Sequence, residues 1–229
     1  MHPVQGVVKM YLREKMGWVL LPWIILTSSF IINLFIAALI PMDDKVTTGG
    51  LASIFIYMGV IGIMSMSQTF PFALGLSVRR KDFFTGTMLM VVLVSFCTSI
   101  VLYLLSYIEG FGLVGWGVEL YFFHLPYLSD GNAAEQIFVF FSIMLCLFVV
   151  GFTIGCLFRR FGKTGMTVLT ICSIALLTLF FYAANYLDWW ISIGHYFANH
   201  SAVQLAFALL PITVCLGFIA YFLLRRATV

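Results

Sequence analysis

The stretch QIFVFFSIMLCLFVVGFTIGCLF, residues 136–158, decides the fold because it is long, apolar and uncharged. It exceeds the roughly 20 residues that a helix needs to cross the hydrocarbon core of a bilayer. The stretch shows no two-residue alternation, so it predicts a helix and not a strand of a membrane barrel. A helix also satisfies its own backbone hydrogen bonds in lipid, where water is absent.

Five further stretches share this character, and together they predict six membrane-spanning helices. The predicted spans are residues 18–40, 51–77, 83–108, 136–158, 164–187 and 202–224. They take up most of a 229-residue chain that is 62% hydrophobic and 9% charged, whereas about 25% of the residues in soluble domains are charged. The predicted fold class is an all-α integral membrane protein, with residues 1–229 as a single membrane domain and no separate soluble catalytic domain.

The Lys and Arg residues predict the orientation of the spans. With six spans both termini lie on one side, and eleven of the twelve Lys and Arg residues fall on that side, whereas only Lys45 falls on the other. The positive-inside rule therefore places both termini in the cytoplasm. A net charge of +3 is too small to indicate a nucleic-acid surface, so no nucleic acid is expected as a partner.

Residues 1–17 are predicted to form an amphipathic helix that lies flat on the inner leaflet before the first span. Apolar residues recur there at helical spacing, and the basic residues fall away from them. The apolar face consists of Val4, Val7, Val8, Tyr11 and Leu12. Lys9, Arg13 and Lys15 would then lie near anionic headgroups of the membrane lipid. The alternative interpretation is a frayed cytoplasmic extension.

The interiors of the six predicted spans contain no Asp, Glu, Lys, Arg or His. An ionisable group at mid-membrane costs about 2.5–3.5 kcal/mol on insertion scales, so it is kept where a proton relay or gating charge needs it. Proton-coupled transporters, pumps and voltage sensors are therefore disfavoured, whereas sodium coupling through neutral oxygen ligands stays open. An enzyme is not expected, because all four histidines lie outside the spans and no H-E-x-x-H pattern occurs.

Other chemistry-bearing residues favour structural roles. His195 and His200, with Asp188 nearby, are better explained as exposed loop residues than as a metal site, because the spacing typical of zinc ligands is missing. The five cysteines fall in the spans without a C-x-x-C pair and are interpreted as packing residues. The tripeptide GKT at 162–164 lacks the rest of a Walker motif, so this chain is expected to bind no cofactor itself.

Small residues and one proline predict how the helices pack and bend. The small residues are Gly151 and Gly155 in the fourth span and Gly59, Gly62 and Ser65 in the second. Such groups pack helices within one chain more often than between subunits. Pro71 with Gly75 is predicted to act as a hinge that kinks the second span near its cytoplasmic end.

The sequence FPFALGLSVRRKDFFTGT, residues 70–87, resembles the connection between the second and third spans of bacterial type-2 ATP-binding-cassette exporter permeases. The predicted topology also resembles that of the family: it has six spans, cytoplasmic termini and an amphipathic helix before the first span. The resemblance implies a short coupling helix that docks in a cleft of a separate ATPase subunit. The implied coupling residues are Val78, Arg79, Arg80, Lys81, Asp82, Phe83 and Phe84.

Elementary chemistry supports two interpretations of this connection. In the first, Ser77 caps a short helix, the basic residues offer charge to the cytoplasm, and Phe83 with Phe84 inserts into an apolar groove of a partner. In the second, the segment is a positive-inside anchor followed by aromatic residues at the interface.

The resemblance implies a permease subunit of an ATP-driven exporter in the bacterial cytoplasmic membrane. Its implied partners are two cytosolic nucleotide-binding ATPase subunits, which would bind ATP and magnesium, and a second permease subunit in a homodimer or heterodimer. Substrate contacts are not assigned, although uncharged aromatic helices suit an amphipathic cargo. The alternative function is a non-transporting membrane immunity or sensor protein that binds a peptide at its outer aromatic segments, residues 109–135 and 188–201.

Overall fold

The computed structural model describes residues 3–39, 46–112, 114–129 and 131–225 of the chain. The first two residues of the predicted amphipathic helix, residue 40 of the first predicted span, and Lys45 lie outside this part. Eight α-helices occur in the described ranges: α1 Pro3–Arg13, α2 Leu21–Leu39, α3 Ala52–Met64, α4 Phe70–Gly75, α5 Arg80–Tyr107, α6 Ala133–Tyr186, α7 Trp189–Asn199 and α8 Ala202–Arg225.

Turns of π-helix extend three of these helices into longer elements. Met16–Leu20 leads into α2, Ser65–Thr69 joins α3 to α4, and Ile108–Gly112 prolongs α5. Five of the resulting elements are long and apolar enough to cross a membrane: Met16–Leu39, Gly49–Gly75, Arg80–Gly112, Ala133–Tyr186 and Ala202–Arg225. The prediction of an all-α, multi-pass membrane protein is confirmed at this level.

The fourth and fifth predicted spans both fall within α6, a 54-residue element that is broken at Gly162. A straight helix of that length would extend about 80 Å, against roughly 30 Å for the hydrocarbon core. Gly162 has φ 63° and ψ −157°, a backbone conformation that residues with a Cβ atom rarely adopt. The break therefore divides α6 into two apolar halves, each of a length that suits one span.

Helix α6 lies at the centre of the bundle and packs against α3, α5 and α8. Its closest approach to α3 is made through glycines, which lets the two backbones touch. A Cβ atom on Gly151 would collide with the carbonyl oxygen of Gly59, and one on Gly62 would collide with the carbonyl oxygen of Phe148. The two small-residue faces that the sequence indicates separately are thus the two sides of one contact within the chain.

Helix α1 packs against α5 rather than only against lipid. Of the five residues predicted for its apolar face, Val7 and Tyr11 are buried, Val4 and Val8 are half-buried, and Leu12 is 55% exposed. Leu12 follows Tyr11 by about 100° around the helix, so it cannot share the face that Tyr11 presents to α5.

Candidate functional site

Arg80 and Arg159 donate hydrogen bonds to backbone oxygens of other elements at one end of the bundle, called here the basic end. Arg80 donates from Nη1 to the backbone oxygen of Arg225 at 2.8 Å, so the start of α5 lies beside the end of α8. Arg159, three residues before the break in α6, donates to the π-turn Ser65–Thr69. The connection that resembles an exporter coupling segment lies at this same end.

The second helical element changes its hydrogen bonding just before Pro71. Proline has no N–H, so Pro71 cannot donate to the Ser67 carbonyl, as it would in an α-helix, or to the Met66 carbonyl, as it would in a π-turn. Arg159 replaces that donor: its Nε lies 3.1 Å from the Met66 oxygen and its Nη2 lies 2.7 Å from the Ser67 oxygen. An arginine from α6 therefore satisfies the backbone that the proline leaves open.

Pro71 and Gly75, the two residues predicted as the hinge, occupy different places in this segment. Pro71 is the second residue of α4 and directly follows the π-turn, a feature often found where helices bend. Gly75 is the last residue of α4, so it ends the helix and does not bend it.

The connection between α4 and α5 is a turn rather than a short helix. Val78 donates to the Ala73 oxygen at 3.1 Å and Ser77 donates to the Leu74 oxygen at 2.9 Å, which is the pairing of a Schellman motif. Ser77 takes the left-handed position of that motif with φ 59°. The interpretation in which Ser77 caps a short helix is wrong, because Ser77 lies in the turn that follows α4 and Arg79 is the N-cap of α5.

The predicted coupling residues differ in how accessible they are. Arg79 and Lys81 are exposed; Val78, Arg80, Asp82 and Phe84 are half-buried; Phe83 is fully buried. The ring of Phe83 lies 5.2 Å from that of Phe70 and 6.5 Å from that of Tyr11, measured between ring centroids. The Phe83 side chain therefore packs the start of α5 against α4 and α1, and it is not exposed for contact with a partner.

Helix α1 is bound to the start of α5 by both packing and a hydrogen bond. Val7 lies against Gly86, where a Cβ atom would come within 2.7 Å of the valine side chain. The Tyr11 hydroxyl lies 3.0 Å from the Thr87 hydroxyl, and the Trp18 ring lies 4.7 Å from the Tyr11 ring. Burial raises the pKa of the Tyr11 phenol to about 12, so the hydroxyl keeps its proton at physiological pH.

At the opposite end of the bundle, Glu109 is a fully buried acid that organises the segment after α5. Its Oε1 accepts from Trp116 Nε1 at 2.6 Å and from the Phe122 backbone N–H at 2.8 Å. Its Oε2 accepts from the backbone N–H of Phe123 at 2.5 Å and also from that of His124. Four donors on one carboxylate satisfy a buried charge that would otherwise be costly.

Sequence reasoning assigned no role to Glu109 beyond its place at the start of the predicted outer segment 109–135. An acid just past the end of an apolar stretch is the one available signal, and it does not reveal which donors the carboxylate meets.

Two serines and a histidine lie beside Glu109 in an arrangement that superficially suggests a catalytic site. Ser106 Oγ is 3.3 Å from His124 Nδ1 and 3.3 Å from Ser129 Oγ. Ser106 is fully buried and Ser129 almost so, so a substrate has no approach to the hydroxyl groups. The group is a hydrogen-bonded part of the core.

The aromatic residues of the two predicted outer segments, 109–135 and 188–201, divide into two groups. Trp116, Phe122 and Phe123 surround Phe30 of α2 with ring centroids 5.0–5.4 Å away, and so belong to the folded bundle. The residues of α7, by contrast, are all at least partly exposed. This helix occupies most of the segment 188–201 between the last two predicted spans.

In the described ranges, no group of three His, Cys, Asp or Glu side chains is placed to hold a metal ion. Compared with family models, with curated proteins and with solved structures, the chain matches none of them.

Proposed function

We propose that this chain is the membrane permease subunit of an ATP-driven exporter whose ATP is bound and hydrolysed by separate cytosolic subunits. The observation that carries the proposal is the joint between α3 and α4, where Arg159 holds the π-turn and α4 leads at once into an exposed basic turn. Such a joint is suited to transmitting movement from the turn into the bundle.

The lengths of the elements support this mechanical role. Helix α4 has only 6 residues and lies between the π-turn and the connection, whereas α5 is a continuous helix of 28 residues that starts at Arg80. A partner that pulls on Arg79 and Lys81 would swing α4 about the π-turn. Phe83 would carry the movement to α1, because its ring packs near Tyr11.

The proposal includes six crossings with both termini in the cytoplasm. In this topology α6 crosses the membrane twice and Gly162 lies at the cytoplasmic side, next to the basic residues that the positive-inside rule assigns there. Single cysteines at Lys163, Asn132 and Trp189 in a cysteine-free variant test it. The topology requires Lys163 to label only from the cytoplasm and the other two only from outside; labelling of all three from one side would refute it.

An apolar groove supports the choice of an amphipathic cargo. It has a volume of about 540 Å³ and lies between α5, α6 and α8, with Lys81 at one end and Val92 among its lining residues. The groove would offer an apolar surface to a lipid-like molecule and a cation to its polar end.

A second permease subunit, identical or related, belongs to the proposal. From Lys163 to Asn199 most apolar side chains are exposed, including those of Ile171, Ile174 and Leu176. A face of this size must be covered by lipid or by another membrane helix.

The alternative, a non-transporting sensor that binds a peptide at its outer aromatic segments, receives less support. Phe122 and Phe123 are buried against Phe30, so they already have partners within the chain.

The test is co-expression with a nucleotide-binding subunit, taken first from the adjacent reading frame, followed by co-purification and an ATPase assay. The double variant Arg79→Glu/Lys81→Glu reverses two exposed charges on the turn and should lower both association and stimulated ATPase activity by at least about tenfold. Lys163→Glu, an exposed charge away from the turn, is the matched control and should retain both. Unchanged association in the double variant would contradict docking at the turn. Phe83→Asp is unsuitable for this purpose because it places a charge in the core.

A further inference from the structure

A cavity of about 750 Å³ lies at the basic end, between α1 and the segment that contains the π-turn and α4. One wall is α1, with Lys9 and Arg13; the other carries Gln68, Phe72 and Leu76. The cavity is therefore bounded on one side by the amphipathic helix and on the other by the joint described above.

The α1 wall is cationic. Lys9 and Arg13 are one helical turn apart, so both side chains project from the same face, and both are exposed. Glu14 also lines the cavity, which leaves the wall with a net charge of +1. An ammonium and a guanidinium at this spacing are suited to a phosphate group, the guanidinium through paired N–H donors.

The opposite wall exposes two large apolar side chains that the described part of the chain does not bury. Phe72, on the six-residue helix α4, is 59% exposed, and Leu76, the residue directly after that helix, is 60% exposed. Hydrocarbon placed along these two side chains would remove their surface from water, which is favourable. Gln68 and Thr69 add polar groups between the charged and the apolar wall.

We propose that this cavity binds one anionic phospholipid of the leaflet in which α1 lies. The phosphate lies between Lys9 and Arg13, the ester region meets Gln68 and Thr69, and an acyl chain runs along Phe72 and Leu76. A cationic wall facing an apolar wall selects an amphiphile with a negative head over a soluble anion or a neutral lipid. The inference goes beyond the proposed exporter function and requires only that the chain lies in a membrane.

The bound phospholipid would also contact both α1 and the segment of the π-turn, and so hold them in place relative to each other. Because the lipid contacts both walls, it should stabilise the folded protein in proportion to its concentration. That stabilisation gives a readout that needs no transport assay and no ATPase partner.

The experiment uses the full chain purified in a neutral detergent, with phosphatidylglycerol or phosphatidylcholine added to the micelles. Thermal unfolding and native mass spectrometry report binding. Phosphatidylglycerol should raise the unfolding temperature and give a 1:1 adduct, whereas phosphatidylcholine should bind at least tenfold more weakly. Equal effects of the two lipids would overturn the proposal, as would an equal shift with glycerol 3-phosphate, which lacks the acyl chains.

Variants assign the binding to this cavity. Lys9→Glu/Arg13→Glu should weaken phosphatidylglycerol binding at least tenfold. The control is Lys15→Glu, because Lys15 is exposed on the same N-terminal segment but does not line the cavity. This control should leave phosphatidylglycerol binding unchanged. Equal loss with Lys15→Glu would show a general attraction to the basic segment and would refute the site.

A steric variant keeps the test valid if the charge reversals destabilise the chain. A Cβ atom on Gly6, which lines the cavity, meets no atom within 4 Å, so the backbone tolerates a side chain there and Gly6→Leu places three further carbon atoms at the cavity wall. It should abolish the adduct. Gly194→Leu, at an equally open position on α7, is the control and should leave the adduct unchanged. An adduct that survives Gly6→Leu in full would place the lipid elsewhere.

Discussion

Arg159 lies with its Nη2 atom 2.7 Å from the carbonyl oxygen of Ser67, the oxygen that would accept the amide hydrogen of residue 71 if that residue were not proline. Arg159 thus supplies a hydrogen-bond donor to a backbone oxygen of a different helical element, 92 positions earlier in the chain. A backbone helix bond has been exchanged for a side-chain bond, which one rotamer change can release. In the proposed exporter function, release of this side-chain bond would let the joint move.

The first prediction concerns that exchange. Arg159→Met keeps the aliphatic stem and removes the donors, so two carbonyl oxygens lose a partner and the free energy of unfolding should fall by about 1–3 kcal/mol. Unfolding in SDS or by heat, in detergent, measures the loss. Arg160→Met is the control: the neighbouring guanidinium lies over the Phe161 ring at 4.9 Å, and its removal should cost less.

A double variant makes the prediction specific. Pro71→Ala supplies a backbone N–H at residue 71, so it should recover part of the stability that Arg159→Met loses. The two changes should therefore be non-additive, as expected for groups that serve the same acceptors. Strict additivity would show that the arginine and the proline are independent.

The second prediction concerns Glu109. Glu109→Gln replaces one carboxylate oxygen by an NH2 group, which faces N–H donors and leaves at least one of them without an acceptor. The segment 114–129 should then exchange its amide hydrogens faster, and stability should fall by about 1–3 kcal/mol. Glu119→Gln, the same change at an exposed position of that segment, should have little effect. Similar exchange in the two variants would show that the carboxylate is not the organiser.

The third prediction concerns the contact between α3 and α6. Gly151→Ala should destabilise the protein by about 1–3 kcal/mol or prevent folding, because the added methyl group meets the carbonyl of Gly59, and backbone cannot move aside cheaply. Gly217→Ala adds the same methyl group in α8 where no atom lies within 4 Å, so it should be neutral or slightly stabilising. The yield of monodisperse protein and the unfolding temperature compare the two. Equal tolerance would mean that the helices are farther apart than described.

Hydropathy predicts most of the long helical elements closely because the requirement to bury apolar residues in lipid acts on local sequence, although the fourth and fifth predicted spans fall within the single element α6. The second predicted span, 51–77, corresponds to Gly49–Gly75, and the sixth, 202–224, to Ala202–Arg225. The small-residue faces were also visible, because close helix packing requires such residues on one side. Their partners were not visible, since no periodicity records which helix lies opposite.

The candidate site was harder to predict because its interactions join distant positions. Nothing around Arg159 indicates that its acceptors are Met66 and Ser67, and a basic residue after a span is already explained by the positive-inside rule. Phe83 follows a run of charges, and its burial depends on α1 and α4 reaching it from earlier in the chain. Local patterns thus define the elements, whereas the joint depends on tertiary contacts.

The last prediction tests how α1 is attached. Tyr11→Phe removes the hydroxyl that pairs with Thr87 and should cost about 1 kcal/mol, whereas Tyr107→Phe, at an exposed tyrosine, should cost nothing measurable. Thr87→Val should cost about the same as Tyr11→Phe, and the two losses should not add. The pH dependence has a definite sign. Because burial raises the folded-state pKa of Tyr11 to about 12 from an ordinary value of 10, the phenol stabilises the fold fully below pH 10 and loses that effect as pH rises through 12.

The advantage of wild type over Tyr11→Phe should accordingly stay constant from pH 6 to about 9 and shrink above about 10, because only the unfolded chain then releases the proton readily. Chemical unfolding of both proteins at several pH values, with Tyr107→Phe as reference, measures this difference. An advantage that stays constant from pH 6 to about 12 would mean that the Tyr11 phenol is exposed and has the same pKa in the folded and unfolded chain, and α1 would then lie on the membrane without a fixed attachment to α5.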